Sequence, residues 1–410
     1  MRWKTFGPLL LCLALLFPVL PPGGGTDAAF AAAEGIVERV FTDKARYNPG
    51  DTAEITVRLT NNTGSVWNGD VELAVYHLET LVHTDSESAF VGNGASVDVT
   101  FQWTTPTEDF KGYYVRAEAG TAGAGATAVD VSGDFTVFPR YGYVSEMHSS
   151  ETAAQSETKI AELAENYHIN AIQFYDWMWR HEKVIKRTGS SIDSTWLDLF
   201  NREIAWATLQ NQIAAAQDRN VAAMAYEMIY GARENYDNFG VDPEWGLYQD
   251  SGHASQYDFN FGFGPILFFF DPMNENWQNN IFAEYLDAVN TAGFDGIHLD
   301  QFGERNNVYD YYGNPIDLST RFSPFINELK QVLSANDPDK NYVTFNIVDG
   351  TTNGWAANDV SKNSGVDFLY SEIWFKANSY NELSRYIESI REASGGKVPV
   401  LAAYMNYREN

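Results

Sequence analysis

Three acidic residues stand where apolar runs stop. Asp176 follows AIQFY, Asp300 follows GIHL, and Glu372 follows FLYS. Two carboxyl groups facing one sugar suffice to cleave a glycosidic bond. One attacks C1 or activates water, and the other protonates the departing oxygen. The acid must keep its proton near neutral pH, so burial or a neighbouring charge must raise its pKa. Glu372 has the more apolar company, in Tyr370, Ile373 and Trp374, whereas Asp300 lies among His298, Gln301 and Gly303. This contrast tilts Glu372 towards acid/base and Asp300 towards nucleophile. Asn346 ends the run YVTFN, and Tyr404 and Asn406 end VPVLAAYMN in the same manner.

A single Asp after a strand is an ordinary turn former or helix cap. Three acids on three separate strand ends shift that reading towards chemistry. Side chains alternate along a strand, so His298 shares the face of Asp300 one layer below it, where a packing role is the simpler one. Tyr370 and Trp374 share the face of Glu372. Trp177, Trp179 and Trp374 lie just past strand ends, where an indole can stack on a pyranose or pack a loop. The substrate-binding candidates are therefore Asp176, Trp177, Trp179, His298, Asn346, Tyr370, Trp374 and Tyr404. Asp295, at the start of its strand, reads as structural. No H-E-x-x-H and no His cluster is present, so no metal and no cofactor are expected.

The elements that must position these residues follow from the pattern around them. From residue 139 onward, apolar strand-like runs alternate with helical ones, as in parallel βαβ units. The strands are expected at 141–147, 171–177, 221–230, 296–302, 342–347, 367–374 and 398–406. Barrel enzymes carry their sites at the C-terminal ends of such strands. Seven strands are one short of a (β/α)8 TIM barrel, and the reading preferred over an open sheet is a barrel incomplete at its C-terminus, over 139–410. No G-x-G-x-x-G follows the first strand, so a dinucleotide site has no support. Residues 36–138 instead show short alternating runs separated by turn residues, which predict an immunoglobulin-like β-sandwich.

Residues 1–31 read as a secretory signal. Arg2 and Lys4 precede an apolar run from Phe6 to Leu20, and Ala29-Phe30-Ala31 is a cleavage candidate. The single cysteine, Cys12, lies in this run, so no disulfide is expected after cleavage. The protein is expected to be secreted, monomeric and free of the membrane once cleaved. A net charge of −28 argues against nucleic acid and other polyanions as partners and is compatible with a neutral polymer. The 15% aromatic content suits sugars, whose flat apolar faces lie on rings while their hydroxyls meet acids.

The stretches GFDGIHLDQFG, FNIVDG, DFLYSEIW, NAIQFYDWMWRH and IDSTWLDLFNR, with VERVFTDKARYNPGD nearer the N-terminus, resemble the dextran-acting enzymes of glycoside hydrolase family 66. The likeness is strongest to members that close dextran chains into rings. The resemblance implies a retaining mechanism through a covalent glycosyl-enzyme, with Asp300 as nucleophile and Glu372 as acid/base. It also implies that Asp176 is needed to hold the sugar at the cleavage point. Dextran and isomalto-oligosaccharides are the implied partners. In ring-forming members a carbohydrate-binding module interrupts the barrel near its seventh strand, which would account for the missing eighth. Two alternatives stay open: an endodextranase, and a secreted glucan-binding protein without catalysis.

Overall fold

The computed structural model describes residues 34–262, 264–348, 356–373 and 379–403. The signal segment, Cys12, Trp374, Tyr404 and Asn406 lie outside the described residues. Seven antiparallel strands come first: β1 (Val37–Thr42), β2 (Thr52–Asn61), β3 (Trp67–His77), β4 (Thr80–Val91), β5 (Ala95–Thr104), β6 (Lys111–Glu118) and β7 (Gly123–Val131). They form two sheets. One has the order β1-β2-β5, and the other β7-β6-β3-β4 with Glu34–Gly35 on the outer edge of β7. Alternation decides which faces meet. In β3, Val71, Leu73 and Val75 are buried while Asp70 and Glu72 are exposed. These residues pack with Ile55, Val57 and Leu59 of the opposing sheet in one apolar core.

Seven parallel strands follow: β8 (Tyr141–Val144), β9 (Ala171–Phe174), β10 (Ala222–Met228), β11 (Gly296–Asp300), β12 (Tyr342–Asn346), β13 (Phe368–Ile373) and β14 (Pro399–Ala403). They pair in chain order. Each of the first six leads into a helix: α1 (Ala153–Ala161), α2 (Trp206–Gln217), α3 (Glu275–Asp287), α4 (Phe322–Asn336), α5 (Ala357–Asn363) and α6 (Tyr380–Ala393). Helices cover the outer face and side chains fill the inner one. That is why all seven residues of β10 are buried.

The sheet curls on itself. The Tyr141 ring on β8 lies 5.2 Å from that of Phe368 and 5.9 Å from that of Tyr370, both on β13. Five strand spacings in a flat sheet would separate those strands by about 24 Å. The domain is thus TIM-barrel-like, with seven strands and a nearly closed wall. Among the described residues, β8 pairs only with β9 and β14 only with β13.

The linker between the two domains seals the N-terminal end of the barrel. Phe135, fully buried, packs against Tyr342 and Phe368, with Ala171, Ala222 and Met224 in the same cluster. Arg140 reaches back to Asp130 at 2.7 Å, and Arg39 of the sandwich reaches Glu165 at 2.8 Å. The sandwich therefore docks on the N-terminal side and leaves the C-terminal strand ends open. Asp295 is structural as expected: its carboxylate accepts from the Ala223 backbone N–H and from Gln217. No helix among the described residues is long and apolar enough to cross a membrane.

Candidate active site

Parallel pairing sets the site. Leu299 lies opposite Phe345, so Asp300 and Asn346 emerge side by side at the tops of β11 and β12. Asn346 lies opposite Tyr370, and Glu372 follows two residues later on the same face of β13. Asn346 then ties the two acids together. Its Nδ2 donates to Oδ1 of Asp300 at 2.9 Å and to Oε2 of Glu372 at 3.1 Å. Its Oδ1 accepts from the backbone N–H groups of Glu372 at 3.1 Å and Val348 at 3.0 Å. Because both carboxyl oxygens contact one nitrogen, they lie no more than about 6 Å apart, the scale at which two carboxyl groups act on one glycosidic bond.

Asp300 accepts two further hydrogen bonds, from the Tyr226 hydroxyl at 2.7 Å and from the Gln301 backbone N–H at 2.8 Å. Burial pushes its pKa up to about 7, with the negative charge of Glu372 adding to the rise. The three donors oppose that rise, because hydrogen bonds to a carboxylate favour its ionised form. Tyr226 sits one layer lower on β10, opposite His298, and its long side chain climbs to the carboxylate.

His298 and Tyr370 form that lower layer. His298 is stacked on Tyr141, with ring centroids 5.7 Å apart and planes 2° apart, and Tyr370 stands edge-on to it at 4.7 Å. The Tyr141 hydroxyl and His298 Nδ1 share a hydrogen bond of 2.9 Å. Burial lowers the His298 pKa to about 3, so the imidazole is neutral. His298 thus supports the floor of the cleft, in keeping with the packing role read from the alternation.

Asp176 is not the last residue of a strand, contrary to the sequence reading. β9 stops at Phe174, and Asp176 adopts a left-handed backbone, φ 50°. Continued extension would have sent its side chain to the helix-facing side with Ile172 and Phe174. It is buried and accepts a hydrogen bond from Arg202 at 3.0 Å, and Arg202 also binds Asp198 at 2.6 Å. Burial pushes the Asp176 pKa up to about 8. Arg202 opposes that shift, while Asp198 and Asp300 add to it.

The tryptophan candidates fare differently. Trp177 is completely buried against Phe294, 4.9 Å between centroids, in the core between barrel and helices. It has no face open to a sugar, so stacking by this residue is corrected to packing. The left-handed residue explains it: Asp176 breaks the alternation of β9, so Trp177 joins Ile172 and Phe174 in the helix-facing core instead of continuing on the barrel-facing side. Trp179 is half-buried, its ring edge-on to Phe239 at 5.4 Å and beneath the Lys186 ammonium at 5.8 Å, rather than against the carboxyl groups. Trp374 and Tyr404 lie outside the described residues.

Four contributors were missed in the sequence: Tyr226, Gln301, Arg202 and Asp198. Tyr226 had a usable signal, being a polar-tipped residue on the period-two face Met224-Tyr226-Met228. Arg202 and Asp198 lie in the stretch IDSTWLDLFNR, which carried the resemblance but no sign of their position, because they come from a loop that folds back over the mouth. Gln301 fell inside the strand expected at 296–302 and was read only as polar company for Asp300, yet its amide donates to the Asn346 carbonyl and accepts from the Gly303 backbone N–H.

An acidic pair at the C-terminal mouth of a barrel-like sheet defines a glycoside-hydrolase type of site. The chain belongs to glycosyl hydrolase family 66, whose model matches residues 42–410. It is 60% identical to a cycloisomaltooligosaccharide glucanotransferase of Niallia circulans over 98% of this chain and 41% of that protein. It is 25% identical to a dextranase of Streptococcus salivarius over 82% of this chain and 43% of that one. A crystal structure of Paenibacillus sp. cycloisomaltooligosaccharide glucanotransferase complexed with cycloisomaltoheptaose superposes with a TM-score of 0.90. That match has 59% identity and covers 92% of this chain and 54% of that one. The chain thus spans about two-fifths of the length of the curated relatives it matches.

Proposed function

We propose that this chain carries the catalytic centre of a retaining α-1,6-glucan transglycosylase that closes dextran segments into cyclic isomalto-oligosaccharides. The observation that carries the reading is the Asn346 bridge, which holds oxygens of Asp300 and Glu372 within about 6 Å. Retaining pairs are closer together than inverting ones, which must leave room for a water. Asp300 attacks C1, the C1–O6 bond breaks, and Glu372 delivers its proton to the departing O6. The three donors on Asp300 support its role as the ionised partner. In the second half, the 6-hydroxyl at the far end of the bound glucan gives its proton to Glu372 and attacks C1. Asp300 then leaves, and the ring is closed. Asp176, oriented by Arg202, holds the sugar at the cleavage point. The names of the similar enzymes support the substrate class.

Product analysis tests this directly. Incubation with dextran should yield cyclic isomalto-oligosaccharides, and Asp300→Asn should abolish turnover. Linear products alone would replace the reading by the second one, an endodextranase, which the similarity to the streptococcal dextranase favours. An unaltered rate in Asp300→Asn would remove Asp300 from the chemistry.

We also infer an immunoglobulin-type fold for the sandwich, supported by the division of its strands into β1-β2-β5 and β7-β6-β3-β4. Export through residues 1–31 belongs to the same reading, since a polymeric glucan is met outside the cell. Protein in the culture medium with an N-terminus near Ala31 is the expected result; retention of residues 1–31 in the cell would contradict it.

A further inference from the structure

The connection that leaves β11 after Asp300 carries a second aromatic surface. Val308–Tyr309 and Pro315–Ile316 pair as a short hairpin, with Tyr311 and Tyr312 at its tip. This connection starts at the C-terminal end of β11, on the same face as the cleft.

The tip is built stiffly. Asp310 accepts hydrogen bonds from the backbone and side-chain nitrogens of Asn314, both at 2.8 Å. Gly313 has φ 83°, and a Cβ there would lie 2.5 Å from the Ser251 carbonyl oxygen, so the hairpin backbone presses on the 249–255 loop. In that loop, Asp250 accepts from the backbone N–H groups of Gly252, Ala254 and Ser255. Between them His253 is held in a left-handed conformation, φ 46°. The His253 ring stacks on Tyr311, with centroids 4.3 Å apart and planes 17° apart. Buried Tyr248 stands edge-on to both, at 6.0 and 5.8 Å. Tyr312 is 72% exposed, lies edge-on to Tyr311 at 5.5 Å, and donates its hydroxyl to Glu244 at 3.0 Å.

An exposed tyrosine ordinarily loses rotamer freedom when a ligand lands on it. Here the hydroxyl is already anchored and the backbone is already fixed, so less is lost on binding. Flat rings beside carboxylates offer apolar faces together with acceptors for hydroxyl groups. The acidity of the chain, −28 overall, selects against polyanions. A neutral polyhydroxy polymer meets both conditions.

We propose that Tyr312, with Tyr311 and His253, forms an accessory surface for an α-1,6-glucan chain, separate from the contacts made by Asp300, Asn346 and Glu372 and not used by a trisaccharide bound at them. The inference rests on the glucan reading of the cleft. It is tested by affinity electrophoresis of the chain in gels containing high-molecular-mass dextran, alongside titration with isomaltotriose followed by NMR. Tyr312→Ala should weaken retardation by dextran about threefold or more and leave isomaltotriose binding unchanged. Tyr312→Phe, which keeps the ring, should retain most of the retardation. If the unsubstituted chain binds isomaltotriose but Tyr312→Ala migrates as it does in dextran, the accessory surface is rejected and the cleft reading stands. Equal weakening towards isomaltotriose would also overturn the proposal, by assigning Tyr312 to the cleft. A chain that ignores both sugars overturns the glucan reading and this inference with it.

Discussion

The side-chain amide nitrogen of Asn346 lies 2.9 Å from Oδ1 of Asp300. That one contact links the fourth and fifth barrel strands at the level where the chemistry is proposed. The same nitrogen reaches Glu372 on the sixth, so one amide sets the distance between two acids. Next-nearest strands are about 9.6 Å apart at their backbones, too far for the pair to be set by strand spacing alone. Asn346→Ala should therefore lower kcat on dextran about 10²- to 10³-fold with a smaller change in KM. A variant with near-normal kcat would show that the acids hold their places without the bridge.

Tyr226→Phe tests the electrostatics of Asp300. The hydroxyl donates to the ionised carboxylate and so lowers a pKa that burial has pushed up to about 7. Removing the donor raises that pKa further. Activity needing ionised Asp300 increases as pH rises through it, so the acid limb of the kcat/KM profile should move to higher pH in the variant. An unmoved or downward-shifted limb would contradict the assignment.

Glu372→Gln separates the two acids by role. Loss of the acid should slow dextran turnover about 10²- to 10⁴-fold. A glucosyl donor with a fluoride leaving group needs no proton, so formation of the glycosyl-enzyme should be slowed far less. Removing the Glu372 charge also removes one cause of the raised Asp300 pKa, so the acid limb for the fluoride should move to lower pH. Equal losses on both substrates would argue against the acid role.

Stability should carry the signature of a different carboxyl group. Glu227 is fully buried on the helix-facing side of β10, where neither oxygen makes a well-formed hydrogen bond and the Trp177 indole is only a weak opposing donor. Burial holds its pKa well above the usual range, and the charge of Glu284 adds to this; Trp177 and Tyr285 are also close by. The folded chain keeps this proton while the unfolded chain releases it above about pH 4.3, so Glu227 costs up to ~1.4 kcal/mol per pH unit as pH rises from there towards the folded pKa. Glu227→Gln cannot ionise. Its Tm should gain on that of the parent between pH 5 and 7, and parallel Tm curves would reject the account.

Much of this was legible in the sequence. All seven barrel strands lie within the spans expected from the apolar runs, because a strand covered on both faces must be largely apolar until it nears the open mouth. Asp300, Asn346 and Glu372 were visible for the same reason, and alternation put His298 beneath them. The alternating runs of 36–138 announced a two-sheet domain, since each strand there has only one buried face. Residue-by-residue periodicity carries no information about a single left-handed residue, however. At Asp176 that residue turns one acid back towards Arg202, and the same break in alternation sends Trp177 into the core. Nor can periodicity say which loop folds over which strand end, so the stretch holding Asp198 and Arg202 was noticed without their place in the site, and the reach of Tyr226 up one layer went unread. The sequence by itself determined the strands, the faces and the identity of the acids, because burial writes itself into composition and spacing. Only the tertiary structure decided how close the acids come, which donors meet them and which ring is open to solvent, because those depend on the curl of the sheet and the packing of distant loops.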